Sequence, residues 1–113
     1  MRVKGAHWNV VLTPDAERDF FEILRWTRAN FGARQTQAYR VTLREAIMVL
    51  HDGPSTLGVR QRDDLGPGIH TLHVARNGRK GRHFIVFRAG GGPTIDVLRL
   101  LHDSMELSAR LAE

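Results

Sequence analysis

The sequence predicts an α+β domain of element order β-α-α-β-β-β-α, with a helical hairpin packed on one face of a mostly antiparallel sheet. Three observations carry that prediction. Apolar residues between positions 16 and 50 recur at spacings of three and four, the period of an amphipathic helix. Those between 69 and 101 come in short β-prone runs separated by Asn-Gly and Gly-Gly-Gly-Pro, the pattern of strands and turns. A chain of 113 residues has room for one core, so early helices and late strands must share it as two layers. The domain is expected to span 1–113.

Each element has a local cause. Trp8-Asn9-Val10-Val11-Leu12 is a short β-prone run that stops at Thr13-Pro14. Thr13 is a good helix N-cap, Pro14 suits the first helical position, and Asp15 and Glu17 lie near the positive end of the helix dipole. Ala16, Phe20, Ile23, Leu24, Thr27 and Phe31 then form one stripe, with Arg18, Asp19, Glu22 and Arg25 on the other face. Gly32 stands where a left-handed residue would stop that helix. A second stripe follows, Tyr39, Leu43, Ala46, Ile47 and Leu50, until Asp52-Gly53-Pro54 forbids continuation.

From Ser55 to Gly68 the chain is rich in Gly, Pro and charge, an excursion that carries Arg60 and Arg62. Strands are expected at 69–75, 82–88 and 94–101, joined as a meander. Asp103-Ser104-Met105-Glu106 fits a capping box, so a short helix through Leu111 is expected to close the chain. The hairpin covers one sheet face; the other is expected to stay uncovered, polar or mated to a partner.

Composition bounds the function. With 42% hydrophobic and 26% charged residues the chain has the content of a folded domain. It contains no cysteine, which removes disulfides, thiolate metal sites and cysteine nucleophiles and fits a reducing compartment. The segment Met1 to His7 has basic residues but no apolar run after them, so neither a signal peptide nor a membrane span is expected, and the cytoplasm is the expected location.

The net charge of +5 is concentrated. Arg60, Arg62, Arg76, Arg79, Lys80, Arg82 and Arg88 face only Asp63 and Asp64 between positions 60 and 88, while the remainder of the chain balances. Such a field attracts phosphates and acidic protein surfaces alike.

Few constellations could carry chemistry. His70 and His73 are three apart on an expected strand, which puts them on opposite faces and denies them a shared metal ion. No cofactor is expected. The glycines at 90–92 join two strands and open no helix, so they do not form a phosphate loop. Ser55, Ser104 and Ser108 lack the setting of a nucleophile elbow. The one surviving catalytic arrangement is ribonucleolytic, with Arg60, Arg62, Arg82 and Arg99 as cations and His102 as acid or base. The sole tyrosine, Tyr39, lies far back in sequence. The plainer reading of His102 is that it ends its strand and joins the capping network.

Three segments, Val11-Leu12-Thr13-Pro14-Asp15-Ala16-Glu17-Arg18-Asp19, Gly81-Arg82-His83-Phe84-Ile85-Val86-Phe87-Arg88 and Val97-Leu98-Arg99-Leu100-Leu101-His102-Asp103-Ser104-Met105, together resemble the ParE branch of the RelE/ParE toxin superfamily, also called plasmid stabilisation proteins. The similarity runs nearly end to end. It implies the toxin of a type II toxin-antitoxin system that inhibits DNA gyrase when free and is not an enzyme. It further implies a hetero-oligomer with a cognate, ParD-like antitoxin whose flexible tail wraps the toxin. The RNA-cleaving branch uses basic residues with a late tyrosine or histidine; the absent late tyrosine favours the ParE branch. The alternative is a RelE-type ribosome-dependent mRNA endoribonuclease using His102, Arg82 and Arg99. A toxin homologue without activity, kept as a binding module, is the third reading.

Under the first reading, Arg60, Arg62, Arg79 and Arg82 with the Asp103, Ser104 and Met105 end are the expected target-binding surface. An acidic amphipathic antitoxin helix is expected to anchor on Phe21 and Trp26, which lie off the main core stripe, while its carboxylates meet Arg82 and Arg99.

Overall fold

The structure, a computed structural model, describes residues 7–111; the reading of the segment Met1 to Ala6 lies outside these residues. Strand β1 (Asn9–Leu12) leads into helix α1 (Pro14–Met48), which a 3-10 turn (Val49–Asp52) extends. Strands β2 (Arg60–Gln61), β3 (Ile69–His73), β4 (His83–Gly90) and β5 (Thr94–His102) follow, and helix α2 (Leu107–Leu111) closes the described chain. The sheet order is β1-β5-β4-β3-β2, with β1 parallel to β5 and every other pair antiparallel. The α+β class and the helix-on-sheet layering are as the sequence predicts, with β2 an added two-residue edge strand inside the 55–68 excursion.

The two expected helices are the two limbs of α1, broken at Gly32 (φ 87°, ψ 178°). A straight helix of 35 residues would run about 52 Å, longer than the 42 Å greatest extent of the protein. The limbs are antiparallel: Glu17, Phe20 and Phe21 from the start of α1 line one cavity with Arg44, Ile47 and Met48 from its end. That hairpin requires a backbone conformation open essentially to glycine alone. Both limbs bury their stripes on one sheet face, Leu24, Leu43, Ala46 and Leu50 meeting Leu72, Ile85, Phe87, Val97 and Leu100. Phe31 does not join its stripe, being 63% exposed.

Strand β5 is irregular. Val86 pairs with Arg99 but Phe87 with Val97, so Leu98 is an extra residue with no partner, a β-bulge. Ile95 and Val97 face the helices; after the bulge Leu100 does, while Leu98 and Leu101 turn to the opposite face. Helix α1 satisfies the backbone there. The Thr13 hydroxyl donates to the carbonyls of Val97 and Leu98, both at 3.0 Å, and accepts from Ala16 N as the N-cap. The Asp19 carboxylate accepts from Leu100 N (3.0 Å) and from both Arg99 Nε (2.7 Å) and Nη2 (3.1 Å).

Two expectations are corrected. The second sheet face is not bare: Ile69, Val86, Leu101 and Leu107 form a smaller core there, with Leu65, Phe84, Leu98 and Leu111 against it. The final helix starts at Leu107, and Asp103 does not cap it, because its carboxylate is already engaged by His73 and Arg82.

Two stability measurements follow from this packing. Gly32→Ala is expected to cost about 1–3 kcal/mol from backbone strain, because an added Cβ meets nothing within 4 Å; urea unfolding measures it. Asp19→Ala, which removes the acceptor of the Leu100 amide and of two Arg99 N–H groups, is expected to cost about 2–3 kcal/mol, and an effect under half a kcal/mol would show that Asp19 does not hold helix to bulge.

Candidate functional site

The bulge decides which side chains meet at the end of the sheet. Beyond it, His102 shares the helix face with Leu100, and opposite it on β4 stands His83. The two imidazoles lie edge to face, 5.2 Å between centroids. Tyr39, from the second limb of α1, brings its hydroxyl to 2.7 Å from His83 Nδ1 and accepts from Arg82 N at 3.0 Å. Gly81 makes this approach possible: a Cβ there would lie 2.5 Å from the Val74 side chain and 3.1 Å from the Tyr39 oxygen. The phenol that the sequence places far away is therefore at the centre of the histidine cluster.

Burial sets the charges. It pushes the His83 imidazole down to about 4, assisted by the neighbouring His102, so the ring is neutral near pH 7. Burial likewise raises the Tyr39 phenol, which stays protonated. Asp103 behaves oppositely: hydrogen bonds from Arg82 and then His73 hold its carboxyl down at about 2. His73 Nε2 lies 2.9 Å from it and Arg82 Nε 3.1 Å. His102 Nδ1 accepts from Ser104 N (3.1 Å) and lies 2.8 Å from Ser104 Oγ, so Nδ1 is the acceptor nitrogen and Nε2 the donor. His102 thus does join the network that ends the strand.

A groove with two lobes runs beside this cluster. One lobe, about 470 Å³, lies between the first limb of α1 and the end of β5, and includes Glu22, Arg99, Met105 and Arg110. The other, about 430 Å³, includes Phe31, Gln35, Tyr39, Lys80 and Arg82. Trp26 and His102 line both lobes and so form the divide between them.

The structure gathers some of the residues singled out from sequence and separates others. Arg82 and Asp103 are paired, with Ser104 on His102 and Met105 in the same groove. Trp26 is 61% exposed on the groove. Phe21, 62% exposed, sits instead in the cavity beside Met48, so the two aromatics are both outside the core yet do not share a pocket. Arg60 and Arg62 lie at the opposite sheet edge, on and just after β2, with Arg62 paired to Asp64 at 2.8 Å. Arg79 is paired with Glu45 on α1, and Arg99 with Asp19. The ribonuclease set is thus split, Arg82 and Arg99 lying in different lobes on either side of His102.

Sequence reasoning passed over Tyr39, His83 and His73. The signal for Tyr39 was present: the sole tyrosine stands on a core stripe, where a phenol hydroxyl needs a buried partner. His70 and His73 do fall on opposite faces, His70 stacked on Phe87 and His73 edge-on to Phe84. Among the described residues no group of three His, Cys, Asp or Glu side chains is placed to hold a metal ion.

The His83 environment gives a pH dependence. Its folded value lies below that of the unfolded chain, so the unfolded state takes up the extra proton between pH 6.5 and about 4. Stability is expected to be full above that window and to fall as pH drops through it. Melting temperatures from pH 7 to 4.5 measure this, and His83→Asn should flatten the decline; an identical slope in the variant would assign it to other groups.

Comparison with known proteins agrees with this architecture. Residues 10–107 match the family model described as ParE toxin of type II toxin-antitoxin system, parDE. The chain is 30% identical over 103 residues to Toxin ParE of Escherichia coli, covering 91% of this chain and 92% of that one. It is 32% identical over 101 residues to Toxin ParE1 of Mycobacterium tuberculosis, covering 89% and 95%. A solved chain of the chromosomal ParDE TA system from P. aeruginosa superposes with a TM-score of 0.69 at 19% identity, over 87% of this chain and 98% of that chain, and so shares the fold. With a matched span that takes in the capped helix, the bulged strand and the groove between them, this chain belongs to the ParE toxin family of type II toxin-antitoxin systems, within the RelE/ParE superfamily.

Proposed function

We propose that this toxin acts by binding, inhibiting DNA gyrase when free and falling silent when a cognate ParD-like antitoxin occupies its groove. The family match over residues 10–107 carries the toxin assignment. The state of the titratable groups supports a binder over an enzyme. His83 is neutral and hydrogen-bonded to Tyr39, His102 has Nδ1 engaged by Ser104, and Arg99 is neutralised by Asp19. A phosphodiester-cleaving centre needs a free base, a free acid and convergent cations. The target-facing surface we assign is centred on the contiguous Arg82, Asp103, Ser104 and Met105, with Arg79 on the same turn; Arg60 and Arg62, at the far sheet edge, would form a second, separate cationic contact.

The antitoxin we envisage is an acidic amphipathic helix. Exposed Trp26 on the groove is its natural anchor, Phe21 beside Met48 offers a second one, and Arg82 is the cation best placed to meet a carboxylate. Arg99 contributes less, since Asp19 already holds it.

One observation favours the second reading, an mRNA endoribonuclease: Tyr39, His83 and His102 converge beside Arg82. Purified chain added in parallel to a gyrase supercoiling reaction and to translating ribosomes separates the two. Blocked supercoiling with intact message is the expected outcome; cleaved message with normal supercoiling would make His102, Arg82 and Arg99 catalytic. Trp26→Ala is expected to weaken antitoxin binding by about 30-fold, the loss typical of an interface anchor worth about 2 kcal/mol. Titration calorimetry measures it, and an unchanged affinity would remove Trp26 from that interface.

A further inference from the structure

We infer that the groove lobe beside Trp26 binds an unpaired nucleotide of single-stranded nucleic acid, its base stacked against the exposed aromatic pair and its phosphate held by Lys80 and Arg82. This goes beyond gyrase inhibition and does not rest on it. Three features of the lobe carry the inference, and each is a different kind of observation.

The first is a stacking platform. Trp26 and Phe31 are both more than half exposed, with ring centroids 5.7 Å apart in a tilted-edge arrangement. Exposed rings of this kind, presented on a rigid helix, give a base an apolar face at little entropic cost, and stacking tolerates any base because every base has a π-face.

The second is the charge of the walls. The turn between β3 and β4 brings Lys80 and Arg82 into the lobe, and no carboxylate lines it. Asp103 takes the Nε and Nη2 edge of Arg82, which orients the guanidinium and leaves Nη1 for a phosphate oxygen. Lys80 has no ion pair among the described residues. The other lobe carries Asp19 and Glu22, so a phosphate is favoured on the Lys80 side alone.

The third is an uncommitted set of polar side-chain atoms on the wall of the same lobe. Gln35 has no hydrogen bond among the described residues, and His102 has Nε2 free of the contacts that fix Nδ1. The lobe volume of about 430 Å³ is in the range of small-ligand sites. The acidic antitoxin helix would use the same Trp26 and Arg82, so nucleotide and antitoxin compete for the lobe, while Gln35 and Lys80 on its wall suit the polar edge and phosphate of a nucleotide.

Fluorescence anisotropy of labelled short oligothymidylate and oligouridylate, titrated with the purified chain at low salt, tests this. Both single strands should bind, with a duplex of equal length at least about tenfold weaker; preference between the two strands identifies DNA or RNA as the source. Trp26→Ala should weaken binding by about tenfold, Trp26→Phe much less, and Lys80→Ala with Arg82→Ala should flatten the salt dependence. Trp26 is exposed, so its loss leaves the core intact, and circular dichroism confirms the fold of each variant. No binding, equal binding of duplex, or an affinity indifferent to Trp26→Ala would each overturn the inference. So would quenching of Trp26 by an acidic amphipathic peptide when neither oligonucleotide quenches it, since the lobe would then be a peptide site.

Discussion

Strand β5 carries one residue more than β4 can match at Leu98, and because side chains in a strand alternate, everything beyond that residue changes face. Without the extra residue, Leu100 and His102 would point to the small core under α2, and Leu101 would point at the helices. The bulge also leaves backbone groups exposed in the middle of a packed sheet, where an unpaired amide or carbonyl is costly. Helix α1 supplies the partners: Thr13 for two carbonyls and Asp19 for an amide. Helix docking and strand irregularity therefore stabilise each other, and neither is well satisfied alone.

The groove inherits its character from that arrangement. Because His102 faces the helices, it meets His83 and lies across from Trp26, and because the hairpin folds at Gly32, Tyr39 reaches the same end of the sheet. Every group near the centre is held by another: Tyr39 by Arg82 N, Arg82 by Asp103, Asp103 by His73. Such a network is rigid and short of free acids and bases, properties suited to recognition more than to proton transfer. The exposed aromatics at its rim supply contact area without needing to be ordered on binding.

The charge map changes in a similar way. Seven basic residues between positions 60 and 88 read in sequence as one patch. In space, Arg62 is paired with Asp64 two residues further on and Arg79 with Glu45 of α1, and β2 carries Arg60 to the far edge of the sheet. What remains beside the groove is Lys80 and Arg82, a smaller and better defined cationic feature than the run of arginines implied.

The sequence by itself determined the elements that rest on local physics. Thr13-Pro14 starts the helix, Gly32 breaks it, the 3.6-residue stripes face the sheet, and His70 and His73 point apart. Each depends on residues within a few positions of one another, which is why periodicity and capping chemistry expose them. Only the tertiary structure decided the rest: the Leu98 bulge, the parallel pairing of β1 with β5, the core under α2, and the meeting of Tyr39 with His83 across 44 positions. A bulge adds one residue without altering hydrophobic composition, and a contact between distant residues leaves no local period. Their energies are settled by which backbone groups find partners once the layers have closed, and no window of sequence contains that information.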